Sequence, residues 1–352
     1  MLSEDEQYMQ RCIQLARLGE GLVAPNPMVG AILVYQNQII GEGYHEQYGQ
    51  AHAEVNCLNS VRKENKQLIE QAVLYVSLEP CAHFGKTPPC SDLIIQNKIS
   101  KVIIGCRDPF EKVNGKGIEK LLAAGVEVKI GILEKECIKL NKRFFTFHQK
   151  QRPYIILKWA QTFDKKISAD NNKQLKISNE LTDRLVHNWR SKEAGILIGT
   201  NTALMDNPLL TNRLWTGKNS VRLIVDKNLK IPKTSKIFNA DAATIVFNFL
   251  ENTIDLENKL KSQVYYYQVD TNENLLKQIG VACYKLNIQS VFVEGGAKLL
   301  QSFIDEHFYD EIRIITNEKK IINKGLPAPE FLPGNLIGEY YLLNDSIRIF
   351  QY

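Results

Sequence analysis

The sequence predicts an α/β protein built in two domains. Short apolar runs of strand length alternate with helix-period segments along almost the whole chain. A length of 352 residues exceeds one ordinary core. The polar, proline-containing stretch Gln149-Lys150-Gln151-Arg152-Pro153 interrupts the alternation near the middle. The expected domains are 1–148 and 153–352.

In the first half, residues 5–18 read as a helix, with Met9, Ile13, Leu15 and Ala16 near helical spacing, ended by Ala24-Pro25-Asn26-Pro27. Residues 29–34 and 39–43 form two strands around the turn Gln36-Asn37-Gln38. A helix over 52–61 and a buried strand over 72–77 follow. Pro88 or Pro89 starts a helix through Ile95, since proline is tolerated in a first turn. Strand 101–105, helix 117–124, strand 126–130 and helix 134–147 complete a sandwich with a mixed sheet. The second half restarts with strand 154–159. It continues with helix 179–190, strands 196–199, 221–226, 243–247 and 264–267, helix 272–286, strand 290–294, helix 298–303, and strands 311–316 and 346–350.

Composition limits the function classes. The residues at the N-terminus are acidic and lead into an amphipathic helix, and no apolar run reaches the roughly 20 residues that cross a membrane. Seven cysteines, odd in number and without a framework pattern, point to a reducing cytoplasm with thiols free for metal. A net charge of +5 suits a small anionic ligand and does not by itself indicate nucleic acid.

The most informative stretch runs from His52 to Cys90. His52, Cys81 and Cys90 offer one imidazole and two thiolates, a donor set for tetrahedral zinc with a fourth position left for water. Glu54, two residues beyond His52, falls near the metal without being a ligand. A carboxylate there can take a proton from the attacking water and hand it to a leaving amine, as in zinc deaminases. The cysteines are separated by eight residues, where the general signature has two. A purely structural zinc site would need a fourth ligand; His83 is the candidate, and Glu54 would then be unexplained. One zinc per chain is expected, with no second cluster.

A second centre gathers at strand ends. Val291-Phe292-Val293-Glu294-Gly295-Gly296-Ala297 is a strand, a glycine pair and a helix start, a place where phosphate can approach backbone N–H groups. Alone such a glycine pair is more often just a turn, and it lacks the dinucleotide G-x-G-x-x-G. Thr200-Asn201-Thr202, Asp206-Asn207-Pro208, Thr211-Asn212-Arg213 and Asp226-Lys227 also follow strands or turns that a parallel sheet would bring to one edge. Read alone, Lys158 is an edge-strand residue facing water and Arg190 a solvated charge.

These residues resemble a known family, the bifunctional riboflavin-biosynthesis proteins that join a pyrimidine deaminase to a reductase. The first half is similar in Pro25-Asn26-Pro27, Val29-Gly30, Gly43-Tyr44-His45, His52-Ala53-Glu54 and the run Leu78-Glu79-Pro80-Cys81 to Pro88-Pro89-Cys90, whose long cysteine spacing is the family's own variant. The second is similar in Pro153-Tyr154, Leu157-Lys158, Asp164, Ile177-Ser178, Arg190, Ile198-Gly199, Thr202, Asp206-Asn207-Pro208, Leu210-Thr211, Arg213 and Val293-Glu294-Gly295-Gly296. The chain departs from the pattern at Phe110-Glu111, at Gln174-Leu175-Lys176, and at Lys165, where many members carry Asn-Pro, Ser-x-Trp and Gly.

The resemblance implies a cytidine-deaminase-like α/β/α sandwich followed by a dihydrofolate-reductase-like domain. It implies hydrolysis of the 2-amino group of 2,5-diamino-6-ribosylamino-4(3H)-pyrimidinone 5′-phosphate, then NADPH reduction of the product's ribosyl group to ribityl. Carried over residue by residue, His52, Cys81 and Cys90 hold zinc, Glu54 moves protons, and Asn26, His45 and Lys86 contact the pyrimidine or its phosphate. Lys158 serves the reduction. Gln174, Arg190, Leu210, Arg213 and Glu294 stand on the substrate side, with the two arginines suited to phosphate. Ala160, Thr202, Asp206, Lys227, Gly296, Ala297, Lys298, Leu299, Leu300, Gln301 and Ser302 stand on the cofactor side. The expected partner is the small-molecule substrate, with neither nucleic acid nor membrane. Self-association through the reductase domain is left open. Two competing readings share the zinc core. A nucleoside or RNA-base deaminase leaves 153–352 unaccounted for, and a zinc-stabilised interaction protein leaves Glu54 without a task.

Overall fold

The computed structural model describes residues 2–84, 88–170, 175–255, 260–261 and 263–352. It divides into two compact units, Met1–Gln151 and Arg152–Tyr352.

In the first unit, α1 (Glu4–Ala16) starts on a capping box. The Ser3 hydroxyl accepts the Glu6 N–H, and the Glu6 carboxylate accepts the Ser3 N–H at 2.7 Å. β1 (Gly30–Tyr35) and β2 (Gln38–Tyr44) pair antiparallel across a two-residue turn. Gln36 and Asn37 both have positive φ, 44° and 61°, the backbone that matches strand twist in a tight hairpin. Then come α2 (Ala53–Ser60), β3 (Val73–Leu78), α3 (Cys90–Gln96), β4 (Lys101–Cys106), α4 (Lys116–Ala123), β5 (Glu127–Ile130), α5 (Glu134–Leu140) and α6 (Lys142–Lys150). Among the described residues the sheet order is β2-β1-β3-β4-β5, antiparallel through β3 and parallel from β3 to β5.

Alternation along the strands decides the layers. Ala31, Leu33, Leu74, Val76, Val102 and Ile104 face α2, α3 and α4. Ile32, Val34, Tyr75 and Ile103 face α1, α5 and α6. The expected helix over 134–147 is two helices. It breaks at Asn141, whose carboxamide clasps the backbone of Met28: Oδ1 accepts the N–H and Nδ2 donates to the carbonyl, both at 2.8 Å. A side chain satisfied by distant backbone competes with helix continuity.

The second unit runs β6 (Tyr154–Thr162), β7 (Lys166–Ala169), α7 (Glu180–Ser191), β8 (Gly195–Gly199), α8 (Thr200–Asp206), β9 (Val221–Val225), β10 (Thr244–Asn248), β11 (Val264–Gln268), α9 (Leu275–Lys285), β12 (Ser290–Gly295), α10 (Ala297–Asp305), β13 (Glu311–Asn317), β14 (Gly325–Pro327), β15 (Asn335–Leu342) and β16 (Asp345–Gln351). The large sheet has the order β11-β10-β9-β8-β12-β6-β13-β16-β15. It is parallel from β11 to β13 and antiparallel beyond. One face packs on α9 and α10 through Leu276, Ile279, Cys283, Leu300 and Phe303. Val186 and Trp189 of α7 cover part of the other, and Ala203 of α8 packs on another part together with Leu210, Ile231 and Ile237. β7, α8, β14 and β15 are additions to the expected elements. Lys158 therefore sits on an inner strand, between β12 and β13, and not at an edge.

Candidate active site

The first unit brings His52, Cys81 and Cys90 together. His52 is the residue before α2, Cys90 the first residue of α3, and Cys81 lies just beyond the end of β3. Their donor atoms all lie within 4.8 Å of one another. His52 Nδ1 stands 3.6 Å from Cys81 Sγ and 3.3 Å from Cys90 Sγ. Two ligands of a tetrahedral zinc, with bonds of about 2.0–2.1 Å to nitrogen and 2.3 Å to sulfur, stand about 3.6 Å apart. The donor set and its spacing therefore fit zinc. The neighbouring thiol holds Cys81 down to about 4 and, with burial, pushes Cys90 up. The Cys90 N–H adds a bond of 3.3 Å to Cys81 Sγ.

Glu54, in the first turn of α2, is buried beside this group, and burial raises its carboxyl above the ordinary range. His45, at the end of β2, is buried with its Nδ1 2.9 Å from the Ala51 carbonyl. Its Nε2 is 3.1 Å from Asn26 Nδ2, and its ring meets that of His52 edge-on at 5.4 Å. The structure thus brings Asn26 and His45 to the metal group. Lys86 lies outside the described residues. One residue of the motif, Glu79, has an organising role that the sequence alone did not assign. Buried Glu79 accepts backbone N–H bonds from Asp108, Gly115, Gly117 and Ile118 at 3.0–3.3 Å, which draws the loop before α4 against the strand end that carries Cys81. Gly117 is required there, because a Cβ would stand 2.0 Å from the Pro80 carbonyl oxygen.

In the second unit the ends of β12 and α7 converge with β6. The Arg190 guanidinium forks onto the Glu294 carboxylate, with Nη2 to Oε2 at 2.6 Å. Both are largely buried, and against the cost of burial the arginine holds Glu294 below the ordinary carboxylate range. Lys158 lies beside this pair, since Leu157 registers with Val293. Burial lowers its ammonium pKa. Ala160, two residues on, shares its face of the sheet. Arg213 is exposed, and its guanidinium donates to the Thr211 hydroxyl at 3.3 Å. Its N–H donates to His187 Nδ1 at 3.0 Å, a second contact the sequence reading missed.

The Thr202 side chain closes on the glycine pair: a Cβ on Gly295 or Gly296 would stand 2.9 or 3.2 Å from it. Gly296 has φ +81°, which favours glycine, and α10 begins at the next residue. Along α10, Leu300 points into the core, and the Ser302 hydroxyl bonds back to the Lys298 carbonyl at 2.8 Å. Those two can offer a ligand little beyond backbone. Asp206 ends α8, and Leu210 is buried with φ +51°. Lys227 stands 5.7 Å above the Phe249 ring. Gln174 lies outside the described residues.

Residues 2–106 match the cytidine and deoxycytidylate deaminase zinc-binding region, and residues 153–319 match the RibD C-terminal domain. The riboflavin biosynthesis protein RibD of Aquifex aeolicus is 40% identical over 327 residues, covering 92% of this chain and 89% of that protein. The chain belongs to the RibD family. RibD of Bacillus amyloliquefaciens is 37% identical over 333 residues. A crystal structure from Thermotoga maritima, described as a diaminohydroxyphosphoribosylaminopyrimidine deaminase/5-amino-6-(5-phosphoribosylamino)uracil reductase, superposes with a TM-score of 0.86 at 36% identity, covering 99% of this chain and 98% of that one. This RibD-family chain is a bifunctional enzyme of riboflavin biosynthesis, a cytidine-deaminase-like unit followed by a RibD reductase domain, with zinc and NADPH as cofactors. No helix among the described residues is long and apolar enough to cross a membrane.

Proposed function

We propose that the first unit hydrolyses the 2-amino group of 2,5-diamino-6-ribosylamino-4(3H)-pyrimidinone 5′-phosphate and the second reduces the ribosyl group of the product to ribityl. The observation that carries the reading is the tetrahedral spacing of His52, Cys81 and Cys90 beside buried Glu54. Zinc held by those three supplies the Lewis acidity that makes a water nucleophilic at neutral pH. Glu54 takes the proton of the attacking water and delivers it to the departing amine. Asn26, His45 and Lys86 orient the pyrimidine and its phosphate.

In the second unit NADPH supplies the hydride. Lys158 faces the carbon being reduced and stabilises or protonates the neighbouring heteroatom. Glu294 fixes Lys158 and the sugar hydroxyls. Arg213, whose guanidinium is the more exposed, takes the phosphate first, and Arg190 joins it by exchanging part of its fork on Glu294. Gln174 and Leu210 complete the substrate side. Ala160, Thr202, Asp206, Lys227 and the segment Gly296, Ala297, Lys298, Leu299, Leu300, Gln301 and Ser302 form the cofactor side. The reading includes a cytoplasmic location and leaves self-association to the second unit.

The experiment is Cys90→Ser. It should remove zinc and deamination and leave reduction of pre-deaminated substrate unchanged; full zinc by metal analysis would sink the ligand assignment. Separability is a further expectation. Residues 1–148 expressed alone should be soluble with one zinc, because the break at Gln151 lies in polar, exposed sequence. Insoluble or metal-free material would show interdependence. Lys227→Ala should raise the KM for NADPH and leave that for NADH alone, since an ammonium near the cofactor's 2′-phosphate distinguishes the two. Equal effects on both would remove Lys227 from cofactor recognition.

A further inference from the structure

His187 is buried on α7, three residues before Arg190 and so on the same side of that helix. Its Nδ1 accepts the Arg213 backbone N–H at 3.0 Å. A ring nitrogen that accepts an N–H carries no proton, so this imidazole is neutral, with its proton on Nε2. The Asn212 carboxamide stands 3.3 Å from the same nitrogen. With its NH2 turned to the ring it adds a second N–H there. The Asn212 Nδ2, otherwise buried without a partner among the described residues, then gains an acceptor.

Burial first, then the Arg190 and Arg213 cations against the Glu294 carboxylate, hold the imidazole below its ordinary range. It therefore remains an acceptor at neutral pH. The loop it holds is seated on α7 at a second point. Gly217 has φ +137°, and a Cβ there would stand 2.7 Å from that of Ser191 at the end of the helix. The loop is also closed on itself, since the Asn212 N–H donates to Asn219 Oδ1 at 2.8 Å. The Arg213 side chain is long and exposed, so its reach is set by where its backbone is held. One backbone contact thus ties Arg213 to the helix that carries Arg190.

We propose that His187 is a positioning residue for the substrate's phosphate: by accepting the Arg213 N–H from one turn before Arg190, it sets the separation of the two guanidiniums so that both can close on one phosphate. The inference rests on the reading in which those two arginines take the phosphate. His187 itself makes no contact with the substrate. Planar guanidinium forks hold a phosphate through directed pairs of N–H bonds, and these form only at matched spacing. The loss on removing His187 therefore falls on substrate binding and not on hydride transfer.

The test uses the full chain, pre-deaminated substrate and NADPH. His187→Leu should raise the KM for that substrate about three- to tenfold, the effect of one lost hydrogen bond, and leave kcat and the KM for NADPH nearly unchanged. Deamination by the same variant should be unchanged. His187→Asn, whose Oδ1 falls near the Nδ1 position and can accept the same N–H, should recover most of the affinity. In an Arg213→Ala background His187→Leu should add nothing, since it acts through that arginine. A wild-type KM in His187→Leu, an equal loss in kcat, no recovery in His187→Asn, or a full additional loss in the Arg213→Ala background overturns the proposal. Should His187→Leu fail to fold, His187→Ala takes its place, and an unchanged KM there overturns it. An unchanged KM in Arg213→Ala alone would instead refute the phosphate reading of that arginine.

Discussion

Glu54→Gln is expected to keep one zinc per chain and to lose deamination by about 10²-fold or more, the scale of a positioned proton carrier. The substitution preserves shape in a place where shape matters: Glu54 is buried in the first turn of α2, two residues from His52. The three ligands contribute one nitrogen and two sulfurs, and Glu54 is not among them. Glutamine therefore leaves the donor set intact while removing the group able to accept and return a proton. Reduction of pre-deaminated substrate by the same variant serves as the internal control and should be unchanged. A zinc-loaded Glu54→Gln enzyme with ordinary deamination would place the proton transfer elsewhere.

Lys158→Met is expected to lose reduction by about 10²–10³-fold, the range for removing one preorganised electrostatic contact, with NADPH affinity nearly intact. Methionine keeps much of the unbranched stem. Removing this cation does not orphan the neighbouring carboxylate, because Glu294 retains the fork from Arg190. The fold should therefore tolerate the change. The pH profile adds a sign. Burial lowers the pKa of Lys158, so the ammonium it must present as proton donor is lost as pH rises, at a pH below the ordinary lysine range. The wild-type reduction rate should fall on that alkaline limb, and Lys158→Met should show no such limb. A variant that reduces at the wild-type rate would remove Lys158 from the chemistry.

The metal centre was legible because two of its three ligands sit at the starts of helices that the local sequence announces, and the third follows a short apolar strand. His52 precedes an amphipathic run, and Cys90 follows Pro89. What stayed hidden depends on distant partners. Arg190 alone on a helix reads as solvated; its carboxylate is 104 residues away. Lys158 reads as an edge residue until the strand order places β12 and β13 on either side of it. The Asn141 break was invisible because its partner, Met28, lies 113 residues back. β15 escaped because it is an outermost strand with Gly338 inside it and many exposed positions, so hydrophobic alternation is weak. Lys165 adopts φ +56°, a backbone that glycine reaches at lower cost, and no local pattern around it indicates that turn.

The claim that one chain performs two consecutive reactions is tested most directly by mass measurement. The full chain, loaded with zinc, is incubated anaerobically with the diaminopyrimidine ribosyl phosphate, with and without NADPH. Without NADPH the product should show only the exchange of one amino group for oxygen. With NADPH it should show that exchange together with the gain of two hydrogens. Substrate recovered unchanged by a zinc-loaded chain, or deaminated product that gains no hydrogens when NADPH is present, would contradict the account.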